Sequence, residues 1–311
     1  MIDISVTAPI HNEEESIPFL CEKLHNVLSK LNKTYEIVLV DDGSTDSSWN
    51  VLLEQAKKYP CLKLIKFRKN FGQTAAMSAG IKESSGEIVI TLDADLQNDP
   101  EDIPAMLAKL DEGFDVVCGW RKDRKDTFVN RKLPSMIANR LIAKMTGVKI
   151  HDNGCSLKAY RREVIGQVNL YGEMHRYIPI LAKYAGFKRI GEKVVEHHER
   201  KYGHSKFGLE RMVKGYLDLI SVTFMSHFGR SPMYIFGGLG TLMFLLGFVA
   251  IVWIIVEKFA YAYPITNQPL FYLSLTAIVI GVQLFLAGFI GELVNRRSSD
   301  RNHYLVDEQI E

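Results

Sequence analysis

The sequence predicts an α/β domain built on a mostly parallel, Rossmann-like sheet, followed by an amphipathic helix and two membrane-spanning helices. Three observations carry this expectation. Short β-branched runs alternate with stretches of helical periodicity. Several of those runs end in acidic and glycine-containing turns, which places the turns together at the carboxyl edge of one sheet. The last third of the chain holds two long uncharged apolar segments.

Ile2 to Pro9 reads as the first strand, and HNEEES leads into a helix with Ile17, Leu20, Leu24, Val27 and Leu31 at helical spacing. Tyr35 to Val40 is the second strand, running into the polar turn Asp41-Asp42-Gly43-Ser44-Thr45-Asp46 and a helix carrying Trp49, Leu52, Leu53 and Ala56. Leu62 to Phe67 is the third strand. Asn70-Phe71-Gly72-Gln73-Thr74 then opens a helix of small residues able to pack closely on a sheet. Ile88 to Leu92, apolar throughout, suits a fourth strand buried on both faces, and Asp115 to Gly119 is the fifth.

Beyond Arg121 the chain turns basic, with a helix expected from Val129 to Met145, a turn at Asp152-Asn153-Gly154-Cys155 and a short strand over SLKAYR. A helix over Glu173 to Ala185, a strand around Lys193 to His197 and a mobile basic loop from Arg200 to Lys206 complete residues 1–207, the expected α/β domain. Residues 208–231 hold an amphipathic stretch, Leu209 to Phe228, suited to a membrane surface. Residues 232–311 hold the two apolar segments, Pro232 to Val256 and Phe271 to Gly291, each long enough against the roughly 20 residues that span a bilayer. The alternative is a helical hairpin buried in a soluble core. Arg230 precedes the first span and Arg296, Arg297 and Arg301 follow the second, so the positive-inside bias puts the soluble domain and both termini in the cytoplasm, at the inner membrane.

Composition narrows the function classes. The chain has 311 residues, 47% of them hydrophobic, and a formal net charge of +2, which gives no reason to invoke a nucleic-acid partner. Cys21, Cys61, Cys118 and Cys155 form no CxxC pair, which argues against a zinc site or a disulfide framework. The N-terminal MIDISVTAPI reads as a strand rather than a cleavable signal peptide.

The chemistry concentrates in Asp93-Ala94-Asp95-Leu96-Gln97. In an extended backbone the carboxylates of Asp93 and Asp95 leave the same face, and two aligned hard oxygen ligands suit Mg²⁺ or Mn²⁺ holding a diphosphate, with Gln97 as a further neutral ligand. The same residues would also serve as a plain polar turn. Asp99 caps the next helix, with Pro100 at its first position.

Pro9-Ile10-His11-Asn12-Glu13, the Asp41 to Asp46 turn, Asn70-Phe71-Gly72 and Asp93 to Gln97, in that order and spacing, resemble the inverting family 2 glycosyltransferases of GT-A fold. Within that family the chain is similar to the polyprenyl-phosphate branch, the bactoprenol glucosyltransferases and dolichyl-phosphate mannose synthases. The resemblance implies that Pro9, His11, Asn12, Glu13, Asp41, Asp42, Ser44, Asn70, Gly72, Asp93, Ala94, Arg200 and Lys206 border a nucleotide-sugar donor. It also implies a metal and diphosphate group of Asp93, Asp95 and Gln97, and an acceptor-phosphate pocket of Arg121, Arg131, Ser135 and Ser205. Asp95 and Asp152 are the catalytic candidates, Asp152 as a base or as a group that orients the acceptor. Read without the family, Asp42 and Ser44 are turn formers and the arginines a solvated or lipid-facing surface. His11 stands where the family usually has Tyr, which narrows the surface available to a base.

The implied reaction is metal-dependent transfer of a hexose to undecaprenyl phosphate for cell-envelope glycosylation, with glucose from UDP-glucose the first choice. GDP-mannose and UDP-amino-sugar donors are the alternatives. A non-catalytic, membrane-anchored nucleotide-sugar binding module is the alternative from another class. Paired membrane helices also allow a homo-oligomer.

Overall fold

The computed structural model describes residues 2–122, 142–143, 146–168, 170, 172, 174–199, 231–261 and 264–297, the last with side chains to 294. The chain divides into two compact units, Met1–Thr223 and Phe224–Glu311.

The first unit contains β1 (Ile4–Ile10), α1 (Ile17–Leu28), β2 (Tyr35–Asp41), α2 (Ser48–Lys58), β3 (Leu62–Lys66), α3 (Gln73–Glu83) and β4 (Ile88–Thr91). After these come α4 (Ile103–Asp111), β5 (Val116–Trp120), β6 (Lys158–Arg161), the single turn α5 (Arg162–Ile165), α6 (Ile178–Tyr184) and β7 (Ile190–Val194). The strands form one sheet in the order β3-β2-β1-β4-β6-β5-β7. β1 pairs in parallel with β2 on one side and β4 on the other, so the strand order reverses between β1 and β4. A crevice at the carboxyl ends of such a pair is where open α/β sheets take ligands.

The central strands are buried on both faces, and the period of two sorts their side chains. Ile88, Ile90 and Leu92 join the cluster built on α1 and α4, whereas Val89 joins Met77, Tyr160, Val164 and Ile178 in a second cluster. Of the stripe expected on α1, Ile17, Leu20 and Leu24 are fully buried. Val27 and Leu31 pack partly against the same cluster, Leu31 from a 3₁₀ turn (Ser29–Leu31) that continues α1.

β6 departs from the parallel pattern: it runs antiparallel to both β4 and β5. Its entrance therefore lies at the same edge as the exits of β4 and β5, and the Asp152 to Ser156 stretch that precedes it arrives beside the ends of those strands. Most expected strand bounds shift by only one or two residues, and three departures are larger. The last strand is Ile190–Val194 rather than 193–197, because its register with β5 runs from Val116↔Ile190 to Trp120↔Val194, and His197 leaves the sheet to bridge Asn98. The helix expected over 173–185 is a 3₁₀ turn (Met174–Tyr177) followed by α6, which starts next to Pro179, a residue with no N–H to continue the preceding turn. Past Thr91 the chain leaves β4, bends, and passes through a left-handed Leu96 (φ 60°), so strand alternation does not extend to Asp93 and Asp95. The helix expected over 129–145 falls almost wholly outside the described residues, and the amphipathic stretch over 209–228 falls wholly outside them.

The second unit is a hairpin of α7 (Gly238–Tyr261), entered through a π-helical turn (Met233–Gly237), and α8 (Pro269–Arg297). Both helices, Met233–Tyr261 and Pro269–Val294, are long and apolar enough to cross a membrane. Leu246, Val249, Trp253 and Phe259 stay largely exposed, which a hairpin buried in a soluble core would not allow. The two helices meet through glycine: a Cβ on Gly240 would lie 2.6 Å from the Gly281 carbonyl oxygen, and one on Gly281 would lie 2.7 Å from that of Gly240.

Candidate active site

The loops after β1 and β2 are stitched into one surface. Asn12, in the left-handed region (φ 56°), donates its N–H to Ser44 Oγ at 3.0 Å and accepts from the Thr45 N–H through Oδ1 at 2.8 Å. Glu13 N–H donates to Ser48 Oγ, and Glu14 Oε2 accepts from Ser47 N–H. The His11 ring sits against the same turn. Its Nδ1 lies 3.0 Å from the Asp42 carbonyl oxygen, which can only accept, so Nδ1 carries the proton.

Asp41 and Asp42, both buried, do different work. Asp42 accepts from the N–H groups of Phe71 (2.7 Å) and Gly72 (2.9 Å), so its carboxylate suspends the loop ahead of α3. Hydrogen bonds to a buried carboxylate contribute about 1.5–3 kcal/mol each. Gly43 (φ 64°) is required where this turn presses on the backbone of Lys69 and Asn70, into which a Cβ would run. Asn70 itself is exposed. Asp41 receives the Ser44 N–H on Oδ1 at 3.2 Å, while its buried Oδ2 meets no donor among the described residues. An orphaned carboxylate oxygen at this edge suits the N–H of a ligand. Pro9 lies past the β1–β4 ladder, where its missing N–H costs no rung on that side.

The Asp93 to Gln97 loop is held from several elements. Asp93 donates its N–H to Ser156 Oγ (3.1 Å), and the same oxygen receives Asn98 Nδ2 (2.8 Å), so one serine at the entrance of β6 ties both ends of the loop. Gln73, the first residue of α3, donates Nε2 to Asp93 Oδ1 at 2.7 Å. Asp95 Oδ1 accepts from the Gln97 N–H at 3.1 Å. Asp93, Asp95 and Gln97 remain half-buried, whereas Ala94 is buried in the core. Two carboxylates and a carboxamide, all oxygen donors at partial exposure, fit a hard divalent cation by their chemistry.

A separate trio, Asp99, Glu196 and His198, brings ligand atoms within 4.8 Å of one another. Here a cation is already supplied: Lys23 Nζ lies 3.2 Å from Asp99 Oδ2, which His198 Nε2 also approaches at 2.8 Å. Asp99 Oδ1 receives the Glu101 N–H, the capping contact expected from sequence. Burial pushes the Asp99 carboxyl up, and these donors overcome it, holding it below its ordinary value. With the His198 N–H donated to the Gln97 carbonyl, the trio fastens the end of the Asp93 to Gln97 loop to the chain leaving β7.

Across the edge, Arg121 and Asp152 form a bidentate pair. Nε donates to Oδ2 at 2.7 Å and Nη2 to Oδ1 at 3.0 Å, with side chains only 10% and 4% exposed. Burial lowers the Arg121 pKa, but the hydrogen bonds and charge of Asp152 raise it further, so Arg121 stays protonated. Behind the pair, the buried Lys158 donates Nζ to the Asn153 carbonyl oxygen, and burial lowers its pKa. The Cys155 thiol beside it is pushed up to about 11 by burial and is no nucleophile. Arg131, Ser135, Arg200, Ser205 and Lys206 lie outside the described residues. Sequence reasoning missed Gln73, Ser156 and Asn98, isolated polar residues whose partners are distant in the chain.

Residues 5–168 match the family described as Glycosyl transferase family 2, and the chain belongs to that family. It is 41% identical over 302 residues to the dodecaprenyl-phosphate galacturonate synthase of Rhizobium johnstonii, covering 95% of this chain and 88% of that protein. It is 37% identical over 299 residues to the undecaprenyl-phosphate 4-deoxy-4-formamido-L-arabinose transferase of Enterobacter sp. (strain 638), covering 96% and 89%. Among solved structures, glucosyl-3-phosphoglycerate synthase from Mycobacterium tuberculosis in complex with Mn²⁺ and UDP-glucose matches with a TM-score of 0.54 at 18% identity, over 72% of this chain and 79% of that one. That likeness is one of fold, the GT-A sheet. The protein is a glycosyltransferase of GT-A fold with two C-terminal helices able to span a membrane.

Proposed function

We propose that this glycosyltransferase moves a sugar from a nucleoside diphosphate to the phosphate of a polyprenyl phosphate held in a bilayer, inverting the anomeric carbon in a single displacement. The observation that carries the reading is the buried Arg121–Asp152 pair, set at the same sheet edge as the Asp93 to Gln97 loop. The names of the two relatives support a lipid-phosphate acceptor, and two helices able to cross a membrane suit an acceptor with an isoprenoid tail.

A phosphate monoester, with a second pKa near ~6, is already largely an anion at neutral pH and needs no general base. Asp152 therefore acts by orientation. It engages two of the five N–H groups of Arg121, and the remaining fork is presented to the acceptor phosphate. Asp41 Oδ2 accepts an N–H from the nucleobase, and His11 and the Asn12 to Ser44 stitch border the base and ribose. Asp93, Asp95 and Gln97 would hold Mg²⁺ or Mn²⁺, which would supply positive charge to offset that of the leaving diphosphate. Arg131, Ser135 and Ser205 complete the acceptor pocket, and Arg200 and Lys206 complete the donor side. The catalytic unit faces the cytoplasm, following the basic flanks of the apolar helices.

The donor follows the relatives' names more closely than the first choice of glucose: a uronate or a formamido-pentose on a nucleoside diphosphate. The test is a donor panel. Full-length protein in detergent receives undecaprenyl phosphate and labelled UDP-galacturonate, UDP-4-deoxy-4-formamido-L-arabinose, UDP-glucose or GDP-mannose. Lipid-linked label from one donor names the sugar. None from any, with folded protein, removes the reading.

A further inference from the structure

Arg121 and Asp152 are each preceded by an aromatic residue, and those two residues also meet. Trp120, the last residue of β5, and His151, in the loop ahead of β6, stack with ring centroids 4.3 Å apart and planes 16° from parallel. Because Trp120–Arg121 and His151–Asp152 are consecutive pairs, the stack and the ion pair form two adjacent rungs between the end of β5 and the loop. The position of one rung constrains the other.

The outer rung is anchored by a third element. Glu192, in the middle of β7 and opposite Cys118 of β5, accepts the His151 backbone N–H at 2.6 Å and lies 2.7 Å from His151 Nδ1. One carboxylate therefore sets both the backbone and the ring of His151. The exposures say what this is for: the Glu192 side chain is 14% exposed, whereas that of His151 is 64% exposed. An exposed imidazole gains little from burial, and holding it in one rotamer costs side-chain entropy. Fixing His151 also fixes the residue next to it, Asp152. The inner rung is a bidentate contact whose geometry tolerates little drift.

We propose that Glu192 and His151 are positioning residues for the acceptor: Glu192 holds His151, the stack on Trp120 sets the loop, and the loop presents Asp152 to Arg121 at the angle that leaves the guanidinium aimed at the acceptor phosphate. This rests on the reading of Arg121 as an acceptor-phosphate residue.

The test uses full-length protein in detergent, its productive donor, and undecaprenyl phosphate. Glu192→Ala and His151→Ala raise KM for the lipid phosphate about tenfold, within the loss of up to about 100-fold that misplacing a substrate-positioning group brings. KM for the donor stays close to that of the parent, because the loops after β1 and β2 are held by contacts that do not involve Glu192 or His151. Glu192→Gln, which keeps one acceptor oxygen, falls between Glu192→Ala and the parent. A second readout needs no turnover: in a Trp49→Phe, Trp253→Phe background, Glu192→Ala shifts Trp120 emission as the stack loosens. An unchanged acceptor KM in active Glu192→Ala protein overturns the proposal. So does an equal rise in both KM values with a lowered Tm, which marks a merely structural role, or an unmoved Trp120 emission. Failure of the parent to use any lipid phosphate would instead remove the functional reading, with the emission experiment still deciding whether Glu192 sets the stack.

Discussion

Asp152 receives the Arg121 guanidinium edge-on, through Nε at 2.7 Å and Nη2 at 3.0 Å, with both side chains almost wholly buried. A carboxylate so engaged is an orienting group, and Asp152→Asn replaces one of its acceptor oxygens with an amide that opposes a guanidinium N–H. Turnover of Asp152→Asn is expected to fall by about tenfold or more, the equivalent of one charge-assisted hydrogen bond. Asp152→Ala leaves a buried charge unpaired and is expected to cost about 3–5 kcal/mol of stability. Steady-state kinetics and thermal melts check the two parts, and full turnover in Asp152→Asn would rule out a role for its charge.

Asp93 and Asp95 are partly exposed, and the Asp93 carboxylate contributes a hydrogen bond with Gln73. Asp93→Ala is expected to cost only about 1 kcal/mol of stability, while metal-dependent transfer disappears in Asp93→Ala and Asp95→Ala alike. Transfer assays across a Mg²⁺ or Mn²⁺ titration, alongside melts, measure both. Retained activity in the two variants would assign the metal elsewhere.

Asp42 carries the N–H groups of Phe71 and Gly72 and contributes its carbonyl to His11. Asp42→Ala is expected to release the loop ahead of α3, raise the KM for the donor, and cost about 1.5–3 kcal/mol, less than the sum of two charge-assisted bonds because water reaches the partly exposed N–H groups it frees. Its effect on the acceptor KM should be small, since Arg121 and Asp152 are held by other elements.

Stability should fall in acid through Glu36, at the opposite edge of the sheet. Burial pushes its carboxyl up, but Lys63, Ser5 and the Ser85 N–H outweigh this and hold it below its ordinary 4.5. The unfolded chain then binds the proton more readily, so this contribution is complete above about 4.5 and is lost as pH falls through the lower folded value. Asp99 acts in the same direction. Thermal melts of the parent from pH 7 to pH 3 should show a steeper decline than those of Glu36→Gln, which starts from a lower Tm at pH 7.

The strands and loops of the first half were legible in the sequence because β1, β2 and β4 are buried on both faces, which makes them rich in β-branched and apolar residues, with only a few buried polar side chains such as Ser5, Thr7 and Glu36 among them. The polar turns at their ends could be placed at one edge by the alternation of strand and helix alone. The Arg121–Asp152 contact could not be derived that way. It depends on β6 running antiparallel, a non-local pairing with no local signature. Gln73, Ser156 and Glu192 were hidden for the same reason, each a single polar residue whose partner is remote. The sequence places the last strand near 193–197 rather than 190–194 because IGEKV lacks the apolar density that marks a central strand; among the described residues β7 lies at the end of the sheet, next to β5.

The most direct test of the account is acceptor dependence. Full-length protein in detergent is given its labelled donor with undecaprenyl phosphate or with undecaprenol, each with and without EDTA. Label is expected in the organic phase with the phosphate-bearing lipid alone, and EDTA abolishes it. Equal labelling of undecaprenol, or transfer to undecaprenyl phosphate that EDTA leaves untouched, would contradict it.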